Sequence, residues 1–410
     1  MTAGSRFPWK GHPFWLAVVF FLVAGAPGFW VPALSNILIN HDLGAWKEIA
    51  VIVPFFASMV SPMIFGAMVD QRFEAQKVLG WIMLVGSVFL FLSFHAIEAG
   101  WGGWAFMIFM GMSSLVMMPA WSLVNTIALS SLDNPEKSFG FYRVWGTIGW
   151  MIAGVVVSWL VLDLSPTAGK VAAGIRVVAG LSCFFLAPVK PQGGKPKNLG
   201  QALGFGAFGL LRERDHAAYF LAAFLFHIPL ASYYLHTPIQ LKEMGVTAIS
   251  ATMATGQILE VVAMIGMGYV ISKFRVKAIL FTALLLGVLR YVLCGLGDMT
   301  AMIGFLIIGV MIHGVTWTFF VEAGRVFIDK RVDSSMKGQA QALLAFVTGG
   351  FGGVLGVVVV AGLHRWLVEA PGAPGWAAYW GVLSVICVAA LLIFGLGYQG
   401  LPKEKSSGKK

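Results

Sequence analysis

The sequence predicts an all-α membrane protein with twelve transmembrane helices, divided into two halves of six. Only 11% of its 410 residues are charged, and its mean hydropathy is +0.83. A typical soluble protein has about 25% charged residues, so this chain could not cover a soluble surface of its size. Twelve apolar segments are long enough to cross a bilayer, and a polar loop separates six of them from the other six.

Each span is justified by its length, because a bilayer core about 30 Å thick requires about 20 apolar residues. The first span follows Arg6 and Lys10 in the manner of a signal peptide. Its apolar run continues to Leu38, so we interpret it as a helix. The predicted spans are 14–37, 49–69, 78–97, 103–128, 142–162, 171–188, 217–240, 249–271, 278–296, 301–327, 338–363 and 377–398.

The net charge of +10 has a topological explanation. Twenty of the 28 lysines and arginines lie in the termini and in the loops on the same side of the membrane. This bias follows the positive-inside rule and predicts that both termini are cytoplasmic. The basicity therefore does not indicate a nucleic-acid partner.

The halves are predicted to be residues 1–188 and 216–399. They are joined by a central cytoplasmic loop, 189–215, and followed by a basic tail, 400–410. The stretch 203–214 is apolar and basic, which favours an amphipathic helix on the inner membrane face.

A short motif follows the second span and recurs after the eighth. It consists of Gly66, Asp70 and Arg72 in the first half, and of Gly268 and Lys273 in the second. We expect the glycines to allow close helix approach and the charges to brace the inward-closed state. The alternative is a pair of ordinary basic loops that happen to contain glycine.

With this repeat the chain resembles the major facilitator superfamily. The resemblance implies two bundles around a central cavity at the bilayer midplane, which rock to give alternating access.

Polar side chains form a stripe in the fifth span. Arg143, Thr147 and Trp150 have spacings i, i+4 and i+7, so they share one helix face. A guanidinium, a hydroxyl and an indole suit a polar, ring-bearing solute or a carboxylate partner. Alternatively, Arg143 anchors the helix at the membrane interface.

The eighth span carries Gln257 and Glu260 on one face. Glu260 lies near mid-span, where a carboxylate must be protonated, paired with a cation or exposed to water. This makes it a candidate for proton coupling. The alternative is a structural hydrogen bond between helices.

The tenth span carries His313, Trp317, Thr318, Glu322 and Arg325. Glu322 and Arg325 are three residues apart and could form an internal ion pair. His313 lies near mid-span, where it either packs in the neutral form or handles protons.

Spans seven and four add further polar and aromatic candidates. Pro229 can break the seventh helix, and the adjacent Tyr233 and Tyr234 can stack on a base or a sugar. Simple packing is the alternative. Trp121 and Asn125 share a face of the fourth span.

Five segments make the chain similar to the nucleoside:proton symporter family of that superfamily. They are Leu123 to Ile127, Arg143 to Gly149, Ile228 to Tyr234, Gly256 to Glu260 with Leu289-Arg290-Tyr291, and His313-Gly314 with Phe319-Phe320, Asp329-Lys330 and Gln341. The resemblance implies nucleoside import driven by an inward proton gradient at a plasma membrane, the bacterial inner membrane. It implies a monomer in a lipid bilayer without a cofactor. We find no Walker loop, no zinc-ligand cluster and no nucleophile–base pair, so an enzyme is not expected.

The resemblance also suggests roles for individual residues. Arg143, Thr147, Gln257 and Glu260 fall on the family's substrate and coupling positions. Glu260 would bind ribose or carry the proton, with Arg143 as its charge partner. Tyr233, Tyr234, Trp317 and Asn125 complete the candidate solute site. Glu260, Glu322, His313 and Arg143 are the proton-coupling candidates.

One departure from the family pattern concerns the tenth span. The family usually has an acid where this chain has Thr318, and Glu322 lies one turn away. The pattern in the first span, around Trp30 and Pro32, is also faint. A facilitator, an exporter or a carrier of another solute such as a sugar therefore remains an alternative. A non-transporting receptor is a minor one, since no loop exceeds about 27 residues.

Overall fold

The computed structural model describes residues 11–133, 135–191, 198, 200, 205–333 and 336–400, with 62–71 and 135–137 as helical backbone only. In this part of the chain every regular element is a helix, and we number the helices by span. They are α1 (Phe14–Gly28 and Leu34–Asn40), α2 (Lys47–Gln71), α3 (Ala75–Glu98), α4 (Gly103–Met117 and Ala120–Ser131), α5 (Pro135–Trp159), α6 (Thr167–Cys183), α7 (Arg214–Leu230, Ser232–Leu235 and Thr237–Glu243), α8 (Ile249–Lys273), α9 (Val276–Thr300), α10 (Ile303–Thr316, Trp317–Glu322 and Ala323–Arg331), α11 (Lys337–Ala345, Phe346–Gly352, Gly353–His364 and Arg365–Glu369) and α12 (Trp376–Gly397).

The twelve predicted spans correspond to these twelve helices. Ten stretches in the described residues are long and apolar enough to cross a membrane. The two others are shorter, because α1 is broken after Gly28 and α6 has only 17 residues. Helices are expected here because a bilayer offers no water to satisfy backbone N–H and C=O groups.

Several helices are interrupted, and proline accounts for some of the breaks. Pro27 lies at the end of the first part of α1, Pro119 at the break in α4 and Pro229 at the end of the first part of α7. Three further irregularities are π-helical, at 317–322, 346–352 and 365–369. The sequence pattern does not predict those turns.

The apolar cores follow the two halves of the chain. The largest cluster of buried apolar side chains comes from residues 207–398, and two smaller clusters come from 16–186. The halves meet along α5 with α8, and along α2 with α11. The described chain begins and ends at the same end of the molecule, which we call the terminal end. The other end carries the loops that follow odd-numbered helices, and we call it the far end.

The central loop lies partly outside the described residues. Within the described residues it contains a short 3₁₀ helix, Phe205–Arg212, in the stretch 203–214 where the sequence favours an amphipathic helix. The ring of Phe205 contacts that of Phe346 on α11, with centroids 5.2 Å apart. The segment therefore packs against the second half.

Candidate solute and proton site

The polar stripe of α5 faces the second half of the molecule. Arg143 Nη2 lies 3.4 Å from Glu322 Oε1 on α10. Thr147 donates a hydrogen bond of 3.2 Å to Glu260 on α8. The ring of Trp150 lies 5.8 Å from that of Tyr234 on α7. The shared face predicted from spacing thus becomes the seam between the halves.

Arg143 pairs with Glu322, although the resemblance suggested Glu260 as its charge partner. Its guanidinium also lies over the ring of Trp121, 4.6 Å from the centroid. Arg325 approaches the same Glu322 carboxylate at 3.4 Å, so the predicted pair within α10 is present too. Glu322 therefore bridges two guanidinium groups, an arrangement that offsets the cost of a carboxylate within a membrane span.

Glu260 is held close to α10 by a contact between glycines. A Cβ atom on Gly314 would collide with the carbonyl of Gly256 and with the backbone of Glu260. Glu260 and Gln257 are both buried. Among the described residues, Gln257 Oε1 has no hydrogen-bond partner. A buried polar atom without a partner is costly. The side-chain oxygen of Gln257 is therefore available to accept a hydrogen bond at the seam.

The two tyrosines of α7 have different surroundings. Tyr233 is almost wholly buried and donates a hydrogen bond of 3.2 Å to the carbonyl of Met253. Its ring stacks on His313 with centroids 3.8 Å apart. Tyr234 is perpendicular to it and reaches Trp150. Tyr233 therefore supports the site from within the second half, whereas Tyr234 lies at the seam.

Two other candidates have unpaired polar atoms. Thr318 is fully buried in the π-helical turn of α10, and Asn125 is half-buried on α4. Neither Thr318 Oγ1 nor Asn125 Oδ1 has a hydrogen-bond partner within the described chain. Trp317 lies beside His313, at a centroid distance of 6.1 Å.

Arg290 was named in the sequence only as part of a matching segment, and its surroundings were not anticipated. It is 2% exposed and lies 3.0 Å from His313 Nδ1. It also lies over the rings of Tyr233 and Tyr291. A basic residue in the middle of the ninth span was the available signal, since intramembrane charges default to functional candidates.

The repeated loop motif shows no contact between the halves in the described residues. The surroundings of Gly66 and the side chain of Asp70 lie outside what the structure describes. Arg72 is exposed, and Lys273 donates to Tyr269 of its own helix. A Cβ atom on Gly268 would meet open space, with no atom of the described neighbouring helices within 4 Å. In this conformation Gly268 makes no close approach to a described helix, and the role of the motif in the inward-closed state stays a prediction.

The far end holds a set of cross-half contacts that the sequence did not predict. Lys47 pairs with Glu48 at 3.0 Å and with Glu369 at 3.6 Å, and Arg365 lies 3.6 Å from Glu48. Lys47 and Glu48 belong to α2, and the other two belong to α11. Beside this cluster lies a cleft of about 890 Å³ between the halves. The far end is thus closed by ion pairs.

Hydrogen bonds to the start of α8 reinforce this closure. Ala248 precedes the helix and provides no capping side chain. Instead, Asp163 accepts a 2.6 Å bond from the N–H of Ser250, and Ser158 accepts one from Ala251. Both acceptors come from the first half, so one half caps a helix of the other.

No group of three or more potential metal ligands occurs in the described part of the chain. The arrangement consists of donors, acceptors and aromatic faces distributed between two helical halves. Such a seam can bind a polar solute and exchange protons.

Comparisons with known proteins agree with this architecture. The sequence model of the nucleoside H⁺ symporter family matches residues 12–402. The chain is 31% identical over 309 residues to the putative nucleoside transporter YegT of Escherichia coli K12, covering 73% of this chain and 72% of that protein. It is 25% identical over 412 residues to the xanthosine permease of the same organism, covering 95% and 97%.

The fold is similar to the crystal structure of the nucleoside transporter NupG. The TM-score is 0.79 at 22% identity, and the match covers 95% of this chain and 99% of that one. This likeness confirms the predicted fold of twelve helices in two bundles, which the resemblance to the major facilitator superfamily implied. Since the family model covers nearly the whole chain, this multi-pass membrane protein is a transporter rather than an enzyme, and it belongs to the nucleoside H⁺ symporter family.

Proposed function

We propose that this chain imports nucleosides together with protons, and that solute and proton meet at the seam formed by α5, α8 and α10. The observation that carries the proposal is that two acidic residues of the second half, Glu260 and Glu322, are each held by a donor of α5. A proton or a solute that competes for either carboxylate alters a contact between the moving halves.

The side chains at the seam suit the two parts of a nucleoside. Ribose hydroxyls can donate to Glu260 and to the unpaired oxygen of Gln257, and Thr147 and Arg143 offer donors to a base or a sugar. Tyr234 and Trp317 provide aromatic faces for the base. Asn125 could extend the polar lining from α4, and Tyr233 supports the stack from behind.

Glu260 is the proposed proton carrier, and Glu322 is the second candidate. Protonating Glu322 would convert a charged bond to Arg143 into a weaker neutral one, and would loosen the seam. A protonated Glu260 can donate a hydrogen bond, so it could release the hydroxyl of Thr147 and bond to the solute instead. Each event ties the charge state to the contact between the halves.

The far-end closure supports alternating access. Taking both termini as cytoplasmic, we infer that a far end held by these bonds belongs to a state that is closed to the outside. We place the protein in a bacterial inner membrane as a monomer, with bundles 1–188 and 216–399, a loop 189–215 and a tail 400–410.

The test is uptake by the full-length protein reconstituted in lipid vesicles. Labelled nucleosides and sugars would be compared with and without an inward-directed pH gradient. Accumulation of nucleosides alone, only with the gradient, supports the proposal. Uptake that does not depend on the pH gradient would indicate a facilitator. Accumulation of sugars would indicate another substrate class.

A further inference from the structure

A buried guanidinium of the second half has no role in the transport scheme above. Arg290, near the middle of α9, is 2% exposed. Within the described residues, no carboxylate lies at ion-pair distance from it. Burying an unpaired charge is costly, so the contacts that Arg290 does make must compensate for this cost.

Those contacts are one imidazole and two aromatic faces. Arg290 Nη1 lies 3.0 Å from His313 Nδ1 on α10. The guanidinium carbon is 4.7 Å from the ring centroid of Tyr233 and 4.8 Å from that of Tyr291. Aromatic faces attract a desolvated cation, but only the imidazole can accept a hydrogen bond from it.

This bond determines the tautomer of His313. A guanidinium can only donate, so Nδ1 must be the acceptor and the single ring proton must reside on Nε2. A doubly protonated ring has no lone pair at Nδ1 and would place two cations 3.0 Å apart. The ring plane is fixed as well, because it stacks on Tyr233 at 3.8 Å with an interplanar angle of 18°.

We propose that Arg290 is a positioning residue that confines the single ring proton of the buried His313 to Nε2 and fixes the orientation of the ring. His313 is then a hydrogen-bond donor for the solute and takes no part in proton transfer. Its ring lies beside Trp317 and Tyr234, two of the aromatic groups assigned to the solute. The donor role rests on the proposed function, whereas the tautomer does not.

The ionisable groups around His313 come from three neighbouring helices. Tyr233 and Tyr234 on α7 and Arg290 on α9 contact the ring, whereas Glu260 on α8 and Cys294 on α9 lie against Gly314 and Gly309 of the same helix as His313. Arg290 is the one cation among these, and it contacts the ring directly. Its removal should therefore allow the ring proton to occupy either nitrogen.

The direct test is nitrogen NMR of the full chain labelled with ¹⁵N-histidine, with the His313→Gln variant used to assign the signal. In the wild type, we expect a neutral, Nε2-protonated ring from about pH 5 to pH 8, the range in which histidine usually changes charge. In Arg290→Gln the amide can either donate to or accept from the ring, so both neutral tautomers should be populated. Arg290→Lys keeps a cationic donor and should keep the ring protonated at Nε2.

The matched control is Arg176→Gln. Arg176 is also a buried arginine, but it lies in the first half and donates to the carbonyl of Gly86 and to Ser113. Its replacement should leave the His313 signal unchanged. A doubly protonated His313 in the wild type would overturn the proposal, and that measurement requires no variant.

The donor role is tested by uptake of labelled uridine in vesicles. Losing a well-placed hydrogen bond in Arg290→Gln should raise the half-saturating concentration about tenfold. The Arg290→Gln/His313→Gln double variant should lose no more affinity than His313→Gln alone, and Arg290→Lys should restore most of the affinity. Wild-type kinetics in folded Arg290→Gln would refute the role. If the wild type moves no nucleoside, the transport function fails, while the NMR result still decides the tautomer.

Discussion

The two halves are joined at the far end and at the central seam, and the chemistry of the two places differs. At the far end, Asp163 caps α8 through a bond of 2.6 Å, and Lys47 and Glu48 are buried within a four-residue ion cluster. At the seam, Arg143 and Thr147 make single contacts of 3.4 Å and 3.2 Å. The far end is therefore held by several mutually supporting bonds, and the seam by isolated ones.

This difference suggests that the far end and the seam have different functions in the transport cycle. Contacts that satisfy buried backbone groups are costly to break, because each opened group must find water. Contacts between single side chains can be exchanged for a solute or a proton at little cost. Accordingly, we expect substitutions at the seam to affect solute and proton handling, and those at the far end to affect the balance between conformations.

Replacing Arg143 should have the largest effect. Arg143→Ala removes the charged bond to Glu322 and the donor proposed for the solute, and a loss of about 3 kcal/mol corresponds to roughly 100-fold in uptake. Uptake of labelled nucleoside would be measured in vesicles containing equal amounts of protein. Arg325→Ala is the matched control. It removes the other guanidinium that contacts Glu322, but that contact lies within α10 and does not join the two halves. Normal uptake by Arg143→Ala would leave that arginine as an interface anchor only.

Glu260→Gln should separate recognition from coupling. Glutamine keeps the hydrogen-bonding capacity but cannot cycle a proton, so binding should change by no more than about threefold. Exchange of nucleoside down its gradient should persist, while the accumulation ratio under a pH gradient should fall to unity.

Glu322→Gln, tested in parallel, identifies the carrier. If Glu260→Gln still accumulates nucleoside and Glu322→Gln does not, the coupling acid lies on α10, close to the position where Thr318 replaces the family's acid. If neither variant loses accumulation, the proton carrier is a different group, and wild-type uptake that does not depend on pH would indicate a facilitator.

Asp163→Ala should weaken the far-end closure. Loss of a helix cap costs about 1 kcal/mol, which shifts the balance of conformations about fivefold. Ser250→Cys places a thiol at this buried contact, and its labelling by a membrane-impermeant maleimide should accelerate by that factor. The native cysteines are buried and give a low background.

Asp298→Ala is the control for this experiment. Asp298 accepts a bond of 2.9 Å from the N–H of Ala377 at the start of α12, within the same half. Equal acceleration of labelling in both variants would show that Asp163 acts through general stability and not through closure between the halves.

Arg72→Ala should have the smallest effect. The side chain is exposed at the terminal end, and exposed ion pairs contribute at most about 1 kcal/mol. Turnover should fall about two- to threefold, with the half-saturating concentration unchanged. Lys77→Ala, at the same end and paired with Glu74 of its own half, provides the comparison. A loss of affinity would contradict the placement of Arg72 far from the solute.

The features set by local periodicity could be predicted from the sequence. The twelve spans follow from hydropathy, and the common face of Arg143, Thr147 and Trp150 follows from helical spacing. The partners could not be predicted, because they depend on how two halves pack. The sequence resemblance assigned Arg143 to Glu260, but the π-helical turn 317–322 and the packing of α10 present Glu322 to it.

Contacts between distant segments were the least predictable. Nothing near Arg290 in the chain indicates that it bonds to His313, 23 residues away on the next helix. The cap of α8 could not be predicted either, since Asp163 precedes Ser250 by 87 residues. Such contacts have no local pattern, because they arise only when helices are assembled.

The bonds that Asp163 and Ser158 of the first half make to the start of α8 in the second half also report how often the far end opens during transport. Whenever the far end opens, the amide hydrogens of Ser250 and Ala251 lose their acceptors together and meet water, and they recover them on closing. Their exchange with deuterated solvent should therefore follow the frequency of opening. Two peptide groups at the start of one helix could thus report each cycle without any label attached to the protein.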